Sequence, residues 1–385
     1  MNTSTPKPPR TTVGPIDALH ASAARITGLT AFGDPDEYRE GLGVLIDALN
    51  TEADLTATGR AVFHAFLRSM LLARLASEAG FAAYPASAEV PIVRPIFVTG
   101  LPRTGTTALH RLLVADPDNQ GLQMWLTEFP QPRPPRAEWT ANPVFARIDE
   151  GIRRHHIQNP EFMGVHFMSA GDVEECWQLL RQSATSISYE TLAHVPSYSA
   201  WLAAQDWHGA YARHRRNLQL IGLPDREKRW VLKNPSHLFA LDALLAVYPD
   251  ALIVQTHRDP ATAISSACSL AAQASAGWSE TFSGDAIGRS QLELWSRGLR
   301  SFAAVRARHD PGRFVDVAYT DFVADPLHTV AEIYRQFGLN LTPAARAAMT
   351  RLHAESRTGD RRPAHRYALA DFGLTEHEVD AAFAR

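Results

Sequence analysis

Apolar residues in the first part of the chain recur at three- and four-residue spacing. Between residues 56 and 80, the repeating apolar positions are Val62, Phe63, Phe66, Met70, Leu71 and Leu75. This spacing places them on one face of an amphipathic α-helix, and Gly80 is a typical helix end. The pattern predicts a helical N-terminal segment over residues 15–90, preceded by a polar, proline-rich and flexible tail over residues 1–14.

After residue 90 the pattern changes to short apolar runs of strand length. These runs are Pro95–Gly100, Gln120–Leu126, Arg229–Lys233, Ala251–Thr256 and Arg313–Val317. Most of them are followed by helical periodicity, and continuous apolar runs are typical of parallel strands that are buried on both faces. Residues 91–385 are therefore predicted to form an α/β domain, in which helices flank a doubly wound parallel sheet.

About a hundred residues of helical character separate the second and third runs. This segment, at about residues 130–228, is too long for a simple crossover, so we expect a helical insertion over the sheet. It is rich in aromatic residues, most of which should belong to the core. The remaining aromatic side chains are candidates for lining an apolar ligand pocket.

Composition narrows the class of protein. The chain has 45% hydrophobic and 21% charged residues, which is ordinary globular composition, and its net charge of −3 gives no general attraction to nucleic acid or to anionic membranes. No apolar run approaches the roughly 20 residues of a membrane span, and the N-terminus lacks the apolar stretch of a signal peptide. We expect a cytoplasmic protein without a membrane span or a nucleic-acid partner.

Cysteine and histidine patterns add a further expectation. Cys176 and Cys268 are the two cysteines, and both fall in segments with a helical pattern, which is typical of reduced thiols rather than of a disulfide framework. The simple helical zinc motifs and CxxC pairs are missing from the sequence, so no metal is expected.

The segment Gly100-Leu-Pro-Arg-Thr-Gly-Thr-Thr107 joins the first apolar run to a predicted helix. Its spacing matches a strand–loop–helix cradle in which backbone N–H groups and a helix N-terminus bind an oxyanion. Thr106 and Thr107 replace the Lys-Ser or Lys-Thr of nucleoside triphosphatases, so the lysine that bridges the β- and γ-phosphates is absent. Arg103 instead offers a planar guanidinium suited to phosphate or sulfate.

A second strand-to-helix segment, residues 251–266, has a similar design. Arg258 follows the strand, Pro260 suits the first turn of a helix, and Ser266 comes eight residues after the arginine. Ligands of open α/β sheets gather at the carboxyl ends of the strands. Arg258 is therefore a second candidate for anion binding.

Together these segments resemble the sulfotransferases that use 3′-phosphoadenosine 5′-phosphosulfate (PAPS), especially bacterial ones with a PRSGTT-like loop and a VLKxPxH segment. The resemblance covers residues 93–375. The 5′-phosphosulfate loop is matched by Pro102, Arg103, Thr104, Gly105, Thr106 and Thr107, the 3′-phosphate pair by Arg258 and Ser266, and a C-terminal basic segment by Arg361 and Arg362. A plain basic loop is an equally good interpretation of the last pair.

The resemblance implies a P-loop-like fold and a reaction. A sulfuryl group would pass from PAPS to a hydroxyl or amine of a small hydrophobic acceptor, and 3′,5′-bisphosphoadenosine would be released. The oligomeric state stays open, with a homodimer among the possibilities. Two other functions use the same loops: a P-loop kinase or nucleoside triphosphatase, and a nucleotide-binding scaffold without catalysis.

Sulfuryl transfer requires donor and acceptor in line and positive charge near the reacting oxygens. Lys233 ends the run Trp230–Lys233, and the following Asn234 and Pro235 suit a helix cap and a helix start. We therefore expect Lys233 and Arg103 to stabilise the sulfuryl group and the leaving phosphate. The alternative is a lysine whose stem covers apolar surface at a strand end.

The base for the acceptor hydroxyl has three candidates, Glu128, His237 and His166. Glu128 follows the second predicted strand, but bacterial relatives often carry Trp-Glu where this chain has Trp125-Leu126. His237 lies close to Lys233, and a lone histidine is most often structural. The neighbouring carboxylates at positions 174 and 175 are interpreted as surface groups or as support for a site.

Overall fold

A computed structural model of the chain describes residues 11–158, 168–356 and 367–384. The strands within these ranges are β1 (Ile96–Gly100), β2 (Asn119–Gln120), β3 (Arg229–Lys233), β4 (Leu252–His257) and β5 (Phe314–Ala318). The helices are α1 (Ile16–Thr27), α2 (Arg39–Thr51), α3 (Ala57–Ala83), α4 (Thr106–Val114), α5 (Met124–Glu128), α6 (Pro143–Gln158), α7 (Trp177–Leu180), α8 (Pro196–Ala203), α9 (His208–Ile221), α10 (Leu241–Val247), α11 (Pro260–Ala274), α12 (Gly284–Arg306), α13 (Tyr319–Ala324), α14 (Pro326–Gln336), α15 (Pro343–Ser356) and α16 (Glu376–Phe383).

The described strands form a parallel five-stranded sheet with the order β2-β3-β1-β4-β5. Val98 of β1 lies opposite Lys233 of β3, and Gly100 lies opposite Thr256 of β4. The chain leaving β1 runs to β2 at one edge of the sheet, whereas the chain leaving β4 runs to β5 at the other edge. The carboxyl ends of β1 and β4 therefore flank a topological switch point, where α/β sheets bind their ligands.

Successive side chains of a strand point to opposite faces of the sheet, and both faces of this sheet are buried. Ile96 and Val98 pack in a core with Leu109 of α4, while Phe97 packs in a separate, larger core with Leu238 and Leu241. Two apolar layers on opposite faces explain why the strands read as continuous apolar runs. The predicted α/β fold with a parallel sheet is confirmed.

The long N-terminal helix α3 begins after Thr56, whose side chain accepts a hydrogen bond from the Gly59 N–H at 3.0 Å. The apolar face predicted from the spacing supplies buried side chains to the larger core. Val13 also lies inside this core, and its N–H donates to Asn50 Oδ1 at 2.9 Å. The packed part of the chain thus begins before residue 15, within the segment that the sequence assigns to a tail.

The second predicted strand, Gln120–Leu126, is wrong over most of its length. Only Asn119 and Gln120 pair with β3, and the chain then leaves the sheet. The Met124 N–H donates to the carbonyl oxygen of Asp172, and the Glu174 N–H donates to that of Leu122. This antiparallel contact occupies the backbone that would have extended β2, and helix α5 follows it.

Both cysteines are free and buried, Cys176 just before α7 and Cys268 within α11. Burial raises the pKa of both thiols, that of Cys268 to about 12, so neither is a ready nucleophile. None of the described helices combines the length and apolar content that crossing a bilayer requires.

Candidate active site at the carboxyl edge of the sheet

The loop after β1 turns tightly over the end of β4. Gly105 has φ +89°, and a Cβ there would lie 3.2 Å from Tyr319 Cδ2. At Gly100 a Cβ would lie 2.3 Å from Thr256 Oγ1, so both positions require glycine. Thr104 Oγ1 also lies 2.6 Å from Thr256 Oγ1. The loop is therefore held against β4 by close backbone approach and by a hydroxyl pair.

Helix α4 begins directly after this loop, at Thr106. The first N–H groups of a helix lack acceptors within the helix, and the helix dipole places partial positive charge at the same end. Arg103, with φ +69°, lies in the loop, and its Nε donates to Ser266 Oγ at 3.3 Å. The residues from Pro102 to Thr107 thus fit a phosphate or sulfate group.

The two predicted anion-binding segments are in direct contact. Arg258 donates from Nη1 to the carbonyl oxygen of Arg103 at 2.9 Å, and its guanidinium carbon lies 4.2 Å from the centre of the Tyr319 ring. Ser266 is buried on α11, whose start is capped by Asp259 accepting from the Thr262 N–H at 2.7 Å. Two arginines and a serine hydroxyl therefore meet where β1 and β4 end.

Lys233 lies beside the same helix start, with only 3% of its side chain exposed. Its Nζ donates to Thr107 Oγ1 at 3.2 Å and forms an ion pair with Glu175 Oε1. The ammonium group is therefore buried among polar partners and does not extend along the surface. The pairing of Glu175 with Lys233 leaves no signal in the sequence, because 58 residues separate them and no motif joins them.

Glu128 lies on helix α5 and not at a strand end. Its Oε2 accepts a hydrogen bond from Ser69 Oγ at 2.7 Å, and its Oε1 lies 3.6 Å from Arg181 Nη2. The Arg181 guanidinium carbon is 4.3 Å from the centre of the Trp177 ring. Both carboxylate oxygens of Glu128 are thus engaged by neighbouring side chains.

His237 is 1% exposed in a 3₁₀ helix, Pro235–Phe239. Its Nδ1 lies 2.7 Å from the Tyr211 hydroxyl, and its ring packs edge-on against Phe97 at 5.0 Å between centres. Burial, helped by the charges of His214 and Lys233, holds the pKa of His237 well below 6.5. These surroundings favour a packing role.

The other predicted site residues lie outside the described part of the chain, namely His166, Arg361 and Arg362. Among the residues that the structure describes, no group of three or more His, Cys, Asp or Glu side chains is arranged to hold a metal ion.

The chain matches known proteins over most of its length. It matches the family described as "Sulfotransferase family" over residues 95–343. Sulfotransferase STF1 from Mycobacterium tuberculosis is 57% identical, with a TM-score of 0.91 over 97% of this chain and 100% of that one. Sulfotransferase STF9 from Mycobacterium avium is 28% identical, with a TM-score of 0.86 over 99% of this chain and 97% of that one.

A curated relative carries a more specific name. Omega-hydroxy-beta-dihydromenaquinone-9 sulfotransferase Stf3 occurs in Mycobacterium tuberculosis and Mycobacterium bovis, and it is 28% identical over 267 residues, or 64% of this chain. The match spans 63% of the length of these curated relatives.

Proposed function

Because this chain belongs to the sulfotransferase family, we propose that it transfers a sulfuryl group from PAPS to a hydroxyl or amine of a small acceptor. The observation that carries this proposal is the meeting of Arg103, Arg258, Ser266 and Lys233 around the start of α4. The donor carries phosphate groups at both its 5′ and 3′ positions. The two contacting anion-binding segments suit such a donor better than a simple nucleoside triphosphate.

The donor is proposed to bind along the switch point between β1 and β4. Residues Pro102–Thr107 would hold the 5′-phosphosulfate, since the loop offers backbone N–H groups and the start of α4. Arg258 and Ser266 would hold the 3′-phosphate, for which a planar guanidinium is well suited. Arg361 and Arg362 stay candidates for covering the nucleotide.

The proposed transfer is a single in-line step. The acceptor oxygen forms a bond to sulfur while the bond from sulfur to the leaving phosphate oxygen breaks, and that oxygen keeps the electron pair. Lys233 and Arg103 would stabilise the negative charge that grows on the reacting oxygens. A buried ammonium group does this more effectively than one in water, because the surrounding dielectric is lower.

We infer that the acceptor is hydrophobic. Partly buried aromatic rings lie near the polar site: Trp177 follows Glu175 by two residues, and the Arg181 guanidinium connects Trp177 with Phe66 of α3. Phe66 packs edge-on against Trp278 at 5.8 Å between ring centres. The name of the curated relative Stf3 also specifies a menaquinone derivative, which supports an apolar acceptor.

Calorimetry tests the donor proposal. We expect 3′,5′-bisphosphoadenosine to bind more tightly than ATP with Mg²⁺. The variant Arg258→Ala should weaken this binding roughly 10- to 100-fold, as expected for loss of a charge-assisted hydrogen bond. Adenosine 5′-phosphate, which lacks the 3′-phosphate, should bind the variant and the parent protein alike. Arg308→Ala is the matched control, because Arg308 is exposed and paired with Asp242.

Turnover is then measured as release of 3′,5′-bisphosphoadenosine from PAPS with phenols, sterols and long-chain alcohols as acceptors. A sulfated product is the expected result. Preference for ATP would overturn the proposal, and tight binding of 3′,5′-bisphosphoadenosine without any PAPS turnover would support a non-catalytic scaffold instead.

A further inference from the structure

The Lys233 ammonium group has a carboxylate partner inside the candidate active site. The Glu175 carboxylate contacts Lys233 Nζ through Oε1. Resting on the proposed function, we propose that Glu175 is the general base that removes the proton from the acceptor hydroxyl. Glu175 differs from the three bases expected from the sequence, which are Glu128, His237 and His166.

The backbone holds Glu175 at the carboxyl edge of the sheet. On one side of it, the Glu174 N–H donates to the Leu122 carbonyl oxygen at 2.7 Å. On the other side, the Cys176 N–H donates to the carbonyl oxygen of Lys233 at 3.1 Å. Backbone hydrogen bonds of its two neighbours, Glu174 and Cys176, thus fix the position of Glu175 relative to the end of β3.

The side chain of Lys233 lies between Glu175 and the loop that is proposed to bind the donor. Lys233 Nζ contacts both Glu175 and Thr107 Oγ1, and Thr107 belongs to the first turn of α4. The Glu175 carboxylate therefore lies near the position from which a hydroxyl group would approach a sulfuryl group beside this turn. Glu128, in contrast, contacts Ser69 and Arg181.

The Glu175 carboxylate is also accessible. Its side chain is 20% exposed, and among the described residues its Oε2 has no hydrogen-bond partner. An acceptor hydroxyl can donate to this oxygen while Oε1 keeps its contact with the ammonium group. His237 does not offer this access, because it is buried in the core.

The step balances without a further reactant. The acceptor O–H bond breaks and its proton passes to Glu175 Oε2, while the acceptor oxygen forms the new bond to sulfur. The bond between sulfur and the leaving phosphate oxygen breaks, and Lys233 stabilises the oxygen that keeps the electron pair. Release of sulfated product and 3′,5′-bisphosphoadenosine then leaves a protonated Glu175 that returns its proton to solvent.

The test compares Glu175→Gln with Glu174→Gln. We expect Glu175→Gln to lower kcat with phenol by about 100-fold or more, the usual contribution of a general base. Binding of 3′,5′-bisphosphoadenosine should change little, since glutamine can still accept from Lys233. Glu174→Gln is the matched control and should keep kcat within about threefold, because a glutamine side chain can still accept from the Glu175 N–H.

Two readouts separate a base from a structural partner of Lys233. The loss of kcat in Glu175→Gln should be smaller with 4-nitrophenol, because its more acidic hydroxyl depends less on a general base. Added formate should restore part of the activity of Glu175→Ala. Equal losses with both phenols and no rescue by formate would overturn the assignment, as would a kcat of Glu175→Gln within about threefold of the parent protein. Absence of any PAPS turnover in the parent protein, with water included as an acceptor, would overturn the proposed function as well.

Discussion

At the scale of single residues, Lys233 is distinguished by its environment. The chain has three lysines, Lys7, Lys228 and Lys233. Lys228 is 43% exposed and pairs with Asp225 at the surface, whereas Lys233 is buried against Thr107 and Glu175. Burying an ammonium group is costly unless it is paired and hydrogen-bonded. Thr107 and Glu175 supply these partners and offset the cost of burying the Lys233 charge.

This contrast gives a matched pair of variants. Lys233→Ala should lower kcat for PAPS turnover by about 100- to 1000-fold, the effect of removing one group that stabilises transition-state charge. Lys228→Ala should behave like the parent protein. Release of 3′,5′-bisphosphoadenosine is the measurement, with circular dichroism to confirm folding. Near-normal turnover of Lys233→Ala would show that another group stabilises the leaving phosphate.

At the scale of elements, the transition from β1 through the loop to α4 depends on glycine. Gly105 adopts a left-handed conformation, and a methyl group there would press against Tyr319 and Phe322 at 3.2 and 3.3 Å. Gly151 lies on α6, and a Cβ there would have no atom within 4 Å among the described residues beyond its own turn of the helix. The same substitution should therefore have opposite effects at these two positions.

Gly105→Ala should lower the free energy of unfolding by about 1–2 kcal/mol, the cost of a left-handed conformation for a residue with a Cβ. It should also weaken binding of 3′,5′-bisphosphoadenosine, because the loop and the start of α4 would shift. Gly151→Ala should raise the free energy of unfolding by roughly 0.5–1 kcal/mol and leave binding unchanged. Urea unfolding and calorimetry measure both effects, and unaltered nucleotide binding in Gly105→Ala would argue against this loop as the donor site.

At the scale of the whole molecule, buried charges join distant parts of the chain. Arg74 of α3 and Arg213 of α9 both pair with Glu37, and Arg213 also pairs with Glu78. Arg213 and Arg74 further donate to Gln182, the latter to its carbonyl oxygen at 3.0 Å. The N-terminal helices are thus bound to the helices between β2 and β3 by a polar cluster as well as by apolar contacts.

Buried histidines give the molecule a predicted pH dependence. Burial lowers the pKa of His110 and of His214 to about 3, against 6.5 for an unperturbed histidine, and that of His237 well below 6.5. Between these values the unfolded chain binds protons that the folded protein does not. Acidification below about pH 6.5 therefore favours the unfolded chain.

We expect the free energy of unfolding to fall between about pH 7 and about pH 5, by roughly 1 kcal/mol per pH unit for each such histidine once it titrates in the unfolded chain. Urea unfolding at several pH values measures this slope. His214→Gln should reduce the slope, whereas His208→Gln, at an exposed position, should not. A slope unaffected by His214→Gln would mean that His214 takes up its proton over the same pH range in the folded and in the unfolded protein.

The sequence alone determined the elements whose signals are local. Apolar runs predicted β1, β3, β4 and β5 to within a residue or so, because strands buried on both faces need continuous apolar stretches. The loop spacing after β1 and the Arg-Asp-Pro start of α11 likewise predicted two helix starts, since caps and glycine conformations depend on a few adjacent residues.

Which of these local elements come into contact depends on how the chain folds in three dimensions. The contact between Arg258 and Arg103 joins residues 155 positions apart, and the pairing of Glu175 with Lys233 joins residues 58 positions apart. Neither leaves a signal in spacing or composition. The first depends on the pairing of β1 with β4, and the second depends on the antiparallel contact between residues 122–124 and 172–174. The same contact follows the end of β2, and Glu128 lies on the helix α5 that comes next. The sequence therefore located the candidate anion-binding site, while the fold brought to it the carboxylate that we propose as its base.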